Sequence, residues 1–270
     1  MISVFHDLFF QPAIFPLLAM ARVTERVRLG PAALNAQTLH PVEIAGQAAA
    51  LDLASGGRAY LGLVTGSWLD QLGLDEHRPL TRLREAVEIV RRLLAGDRTG
   101  FAGERFTLAP CASLAYEPLR REMPLLIGTW RPRAASFARE VADEVKIGGC
   151  ANPDMVALMR SWLGDDGPRI VVGAVTVVDE DGERARMHAR AQVQMYLDVV
   201  GKLDPTLELA PGEAAPLEKF VLAGTPEEVA DHARALYDAG AHRVEFGTPQ
   251  GLTTRGGVEL LCDGVLPLLA

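Results

Sequence analysis

Short apolar, β-rich runs alternate with longer stretches of helical spacing along the whole chain, and this alternation restricts the fold more than any other feature. Strands are expected at Val4-Phe5 and over 27–34, 59–64, 124–128, 144–148, 170–178 and 243–247. Helices are expected over 15–26, from Pro41 through Leu51, and over 81–94, 132–141, 153–163, 184–200, 226–239 and 257–268. Strands that are apolar on both faces, each followed by a helix, imply a parallel sheet covered on both sides. An open doubly wound sheet and a barrel both satisfy that pattern. The barrel is preferred because the βα units continue across the chain with no Gly-x-Gly-x-x-Gly after any strand. Gly30-Pro31 marks a bulge or bend in the second strand.

A chain of 270 residues, 49% apolar, is long enough for one large core, and 1–270 reads as a single domain. Residues 98–122 interrupt the rhythm with a small hairpin and a loop rich in proline and charge. The net charge of -8 argues against nucleic acid, whose phosphates need clustered Lys and Arg. Cys111, Cys150 and Cys262 are far apart, make no metal-type spacing and suit a reducing cytoplasm. The first residues lack the basic and cleavage features of a leader, and no apolar run approaches the ~18 residues needed to cross a bilayer.

Several blocks in order carry a resemblance: Thr24-Glu25-Arg26-Val27-Arg28-Leu29-Gly30, His40-Pro41, Ala50-Leu51-Asp52-Leu53-Ala54-Ser55-Gly56-Gly57-Arg58, Leu94-Ala95-Gly96-Asp97, Pro124–Gly128, Ala142-Asp143-Glu144 and Ala223-Gly224-Thr225-Pro226-Glu227. Together they resemble the bacterial-luciferase-like superfamily, in its F420- and flavin-dependent branch of methylenetetrahydromethanopterin-reductase-like proteins. The resemblance implies a TIM (β/α)8-type barrel, here lacking the first βα unit, so that seven strands are expected. It implies an oxidoreductase that moves a hydride between coenzyme F420 and a small organic substrate. An FMN-dependent monooxygenase is the alternative, and a non-catalytic flavin-binding or subunit-like homologue is the alternative of another class. Relatives are usually homodimers, and small residues on the helices at 15–26 and 41–54 (Ala19, Ala21, Ala45, Gly46, Ala48) would permit close approach. The family's dehydrogenases often read Asp-His after the second strand, where this chain reads Asp7-Leu8; a glutamate often follows their Thr-Gly pair, where Ser67 stands here.

Barrel active sites are built from the loops after the strands. His6 and Asp7 occupy such a loop and are catalytic candidates, the histidine as a proton carrier near neutral pH. Glu245, in the last strand, is a third candidate, although a charge on an apolar strand is as readily explained by pairing with Lys146. Cofactor-binding candidates are Ala32, Ala33 and Asn35 around the second strand, and Thr65, Gly66 and Ser67 after the third. Asn and Gln amides suit the edge of a flavin-like ring; His40, before a proline, reads first as a helix entry. The remaining candidates are Gly128, Thr129, Trp130, Arg131 and Arg133, where a strand gives way to a helix starting at Pro132. A helix start favours anions. Each of the two arginines is unfavourable there by about 0.3–1 kcal/mol without one. A cofactor phosphate would reverse that sign.

Overall fold

Apart from one hairpin, every strand pair described is parallel, as continuous apolar strands between helices require. The computed structural model describes residues 1–7, 10–74, 77–210 and 213–270, without the side chains of 195 and 198; Leu8 lies outside the described residues. The chain divides into two units, one of 1–128 with 140–143 and one of 129–139 with 144–270.

The first unit contains β1 (Ile2–Val4), α1 (Ile14–Val23), β2 (Leu29–Pro31), β3 (Leu34–Asn35), α2 (Pro41–Ser55), β4 (Leu61–Val64), α3 (Pro79–Ala95), the antiparallel hairpin β5 (Phe101–Ala102) and β6 (Thr107–Leu108), and β7 (Leu125–Gly128). β1 pairs with β2, and β4 lies between β3 and β7. The strand expected over 27–34 is two short strands. Pro31 has no N–H to continue a ladder. Glycine is required on both sides of the break, since a Cβ on Gly30 would sit 2.4 Å from the Tyr60 carbonyl oxygen and one on Gly62 2.3 Å from that of Pro31. Helix α1 stops at Val23, short of the expected Arg26, because the carbonyls of Ala21, Thr24 and Val27 all accept from the Arg58 guanidinium. The amphipathic pattern of 81–94 becomes α3, which buries Leu83, Val87, Val90 and Leu94 and ends on Gly96 in the left-handed conformation. Glu85, buried on α3, accepts the backbone N–H groups of Glu104, Arg105 and Phe106 and so fastens the hairpin.

The second unit contains α4 (Pro132–Val141, whose last two residues count with the first unit), β8 (Glu144–Gly148), α5 (Pro153–Leu163), β9 (Arg169–Val178), α6 (Gly182–Leu203), β10 (Val221–Gly224), α7 (Pro226–Asp238), β11 (Arg243–Gly251) and α8 (Thr254–Leu260), then a π-turn and α9 (Leu266–Leu269). The ten-residue β9 organises it: β11 runs along one side, while β8 covers its first half and β10 its second half on the other. β10 is a parallel strand beyond the seven expected. Its four residues, Val-Leu-Ala-Gly, are too short to show a period, and only the extension of β9 past the end of β8 gives it a partner. Among the described residues, β1 and β11 each have one strand neighbour.

Candidate functional site

The candidates of the first unit gather after its strands. His6 follows β1, and its Nδ1 accepts the Ala13 N–H at the start of α1 (3.1 Å). Its proton therefore sits on Nε2, and burial holds its pKa below 6.5, so the ring is neutral at pH 7 and presents an N–H donor. Burial acts in the opposite sense on Asp7, raising its carboxyl above the ordinary 3.8. Ala32 and Ala33, joined by a cis peptide, connect β2 to β3 and are half-buried. Asn35 is buried, and its Oδ1 accepts from the backbone N–H groups of Gln37 (3.1 Å) and Thr38 (3.0 Å) and from the Thr38 hydroxyl. These donors fix which way its amide points and leave Nδ2 without a partner among the described residues. Gln37 Nε2 is likewise buried without a partner. His40 is the N-cap of α2, accepting from Val42 N–H, as its place before a proline suggests. Thr65, Gly66 and Ser67 are half-buried after β4. Gly66 has a φ of +103° and lies against Asn35, whose Cγ would be 3.4 Å from a Cβ there. Gly128 ends β7 beside Val64, 3.5 Å from where its Cβ would be.

In the second unit, Thr129 N–H donates to the Lys146 carbonyl, and Thr129 Oγ1 accepts from Arg131 N–H (3.0 Å), turning the chain into α4. Trp130 is buried, donating Nε1–H to the Gly148 carbonyl (3.0 Å) and packing on Phe220. It is an anchor of the turn. Arg131 and Arg133 are exposed, and neither joins an ion pair among the described residues; Glu140, at the other end of α4, pairs with Arg84. The first turn of α4 carries no acidic residue.

Lys146 and Glu245 do pair, Nζ to Oε2 at 2.6 Å. Glu245 also accepts from Arg243 Nε (3.1 Å), and Arg243 grips Glu144 with both terminal nitrogens (2.6 and 2.7 Å). Two cations and two carboxylates thus form one neutral network on one face of β8, β9 and β11.

A second polar network was not foreseen. Asn152, fully buried, caps α5, donates to Asp204 (2.8 Å) and Thr206 (2.9 Å), and accepts from Lys219 (2.9 Å). The one sequence signal was Asn152 before Pro153, a helix-start pattern; its partners lie 50 or more residues away in the chain. Beside it, burial raises the Cys150 thiol to about 12, so it is no nucleophile. Among the described residues no group of His, Cys, Asp and Glu could hold a metal ion, and no helix is long and apolar enough to cross a membrane.

The family model for luciferase-like monooxygenase matches residues 5–243. The 5,10-methylenetetrahydromethanopterin reductase of Archaeoglobus fulgidus is 27% identical over 289 residues, covering 94% of this chain and 86% of the relative. The F420-dependent glucose-6-phosphate dehydrogenase of Nakamurella multipartita is 26% identical over 288 residues, covering 98% and 84%. Among solved structures, the coenzyme F420 dependent tetrahydromethanopterin reductase of Methanopyrus kandleri superposes with a TM-score of 0.85 at 22% identity, over 99% of this chain and 90% of that one. The fold is therefore that of the luciferase-like TIM barrels, as the sequence suggested.

Proposed function

We propose, from the premise that the chain belongs to the luciferase-like monooxygenase family, that it is an oxidoreductase using coenzyme F420 to exchange a hydride with a small organic substrate. The names of the dehydrogenase relative and of the superposed reductase support the deazaflavin. The observation that carries the reading is Arg131 and Arg133 at the start of α4, which join no ion pair among the described residues. These two exposed guanidiniums and a helix start with no acidic side chain in its first turn form a donor set suited to a cofactor phosphate.

In this reading, Thr129 shapes the phosphate turn while Trp130 fixes it. In the first unit, the free Asn35 Nδ2 suits a ring carbonyl, and Gly66, Gly128, Ala32 and Ala33 present little side chain, so that a flat ring can approach the backbone. Thr65 and Ser67 add hydroxyl donors. The bound cofactor supplies the hydride chemistry, and the protein orients it. His6 presents a neutral Nε2–H, and Asp7 is a carboxyl that holds its proton to higher pH than usual; both are proposed to handle the substrate proton. Glu245, ion-paired twice, is proposed to act by positioning Lys146. Residues 1–270 would serve as one catalytic domain, in the cytoplasm, where Cys111, Cys150 and Cys262 stay free thiols. Exposed Phe15 and Val23 on α1 and Leu53 on α2 support a homodimer, which light scattering at micromolar concentration tests.

Separate titrations with F420 and FMN, followed by absorbance, test the cofactor. Arg131→Gln with Arg133→Gln should weaken F420 binding and flatten its salt dependence. Equal binding by the double variant at low ionic strength would place the phosphate elsewhere. Binding of FMN alone favours the monooxygenase, and tight F420 binding with no hydride transfer to any substrate favours a carrier.

A further inference from the structure

Among 27 basic residues the chain has three lysines, Lys146, Lys202 and Lys219, and arginine everywhere else. One of the three faces along the sheet of the second unit, in a strand that otherwise reads as core. Its surroundings are shaped to it. Lys146 and Val171 are register partners across β8 and β9, and Gly173 and Glu245 are partners across β9 and β11. The Lys146 side chain therefore passes over Gly173 to reach Glu245. The Cβ that Gly173 lacks would lie 3.0 Å from Lys146 Cε, which accounts for a glycine in the middle of the longest apolar strand.

Toward the C-terminal ends of the same strands, the next positions on this face are Gly148 on β8 and Gly247 on β11. Gly148 is exposed, and no atom lies within 4 Å of where its Cβ would be. Open space thus adjoins the ion pair, whose side chains remain 13% and 15% exposed. An ammonium has three N–H donors, and Glu245 occupies one of those on Lys146. Should the ammonium turn toward the space, Glu245 keeps Arg243, which Glu144 holds from below. The pair can open without stranding a buried charge, the circumstance that normally forbids it.

We propose that Lys146 is the donor that anchors a carbonyl or carboxylate oxygen of a molecule occupying the open space beside Gly148, with Gly173 and Glu245 as its positioning residues. The oxygen belongs either to the cofactor ring or to the substrate, so the inference rests on the oxidoreductase reading for its occupant but not for its chemistry.

Lysine labelled with 13C at Cε gives three signals in the intact chain, assigned with Lys202→Arg and Lys219→Arg. The probes are F420, FMN and pyruvate, a small molecule bearing both a ketone and a carboxylate. A shift of the Lys146 signal on adding F420 or FMN assigns the oxygen to the ring. A shift with pyruvate alone assigns it to the substrate, and this outcome survives failure of both cofactors to bind. Lys146→Met should weaken the responsive probe about tenfold or more, a donor to an acceptor of this kind being worth about 1.5 kcal/mol or above, while Lys202→Met leaves it unchanged. Glu245 keeps its bond to Arg243 in Lys146→Met, so a far-ultraviolet circular dichroism spectrum and a thermal melt matching the parent chain guard against a folding defect in that variant. A Lys146 signal unmoved by all three probes overturns the proposal, as does full affinity in Lys146→Met.

Discussion

Both units bury charge close to backbone, and they use it in opposite ways. In the first unit, Arg58 spends all five guanidinium donors on Ser55 O, Val27 O, Ala21 O, Thr24 O and the Thr24 hydroxyl. Asp52, with no exposed surface, is held by Arg120 and by Ala59 N–H. These groups tie the end of α1, the end of α2 and the start of β4 together, and little capacity is left over. In the second unit, the network of Lys146, Glu245, Arg243 and Glu144 is closed at one end, where Arg243 binds both Glu144 oxygens and one of Glu245. At the Lys146 end it is unsaturated, beside glycines and open space. Burial and charge alone do not separate a structural clamp from a site; unspent donors beside open space do.

The largest expected effect tests the clamp. Arg120→Ala leaves a buried carboxylate without its cation and should cost about 3–5 kcal/mol in chemical denaturation, with cofactor affinity unchanged in the fraction that stays folded. A loss of affinity beyond the loss of folded protein would break the division between the two regions. Next, Gly173→Ala should cost about 1 kcal/mol, the low end for an overpacked core, because the flexible lysine end yields. It should nevertheless weaken the probe that responds to Lys146. A stability loss with unchanged binding would make that glycine merely a packing device.

At the start of α4 the comparison sharpens further, because the sign reverses with ligand. Without cofactor, Arg131→Gln and Arg133→Gln should each raise stability by about 0.3–1 kcal/mol by removing a cation from a positive helix end. Thermal melts with and without F420 should show the double variant ahead in its absence and behind in its presence.

The smallest effect is pH dependence. Burial holds His6 and His232 below 6.5, and His232 also faces Lys219, which adds to the lowering, although its bond to the Ala151 carbonyl works against it. The unfolded chain therefore binds these protons first, and stability should fall as pH drops below 6.5. Asp7, raised by burial, contributes the opposite slope, gaining stability as pH falls toward its ordinary 3.8. Denaturation between pH 7.5 and 5.5 should flatten in His232→Gln, whose histidine is the more enclosed of the two. An unchanged slope would assign the dependence elsewhere.

The alternation of apolar strands and helices was enough to locate nearly every βα element and the hairpin near 98–122, because burial on both faces of a parallel sheet writes itself into continuous apolar runs. Helix starts at Pro41, Pro132, Pro153 and Pro226 were legible for a local reason, the missing N–H and fixed φ of proline. The ordered blocks also sufficed for the family. Tertiary structure alone decided the rest. It broke the second strand where Gly30 and Gly62 let two backbones meet, and it made a strand of Val221–Gly224 by supplying the extended half of β9 as a partner. It showed that Asn35 spends its oxygen on the backbone, while among the described residues its amide N–H2 has no partner and Arg131 and Arg133 join no ion pair. A side chain's type and place in the chain set which bonds it can make; which of those bonds are already taken depends on neighbours tens of residues away.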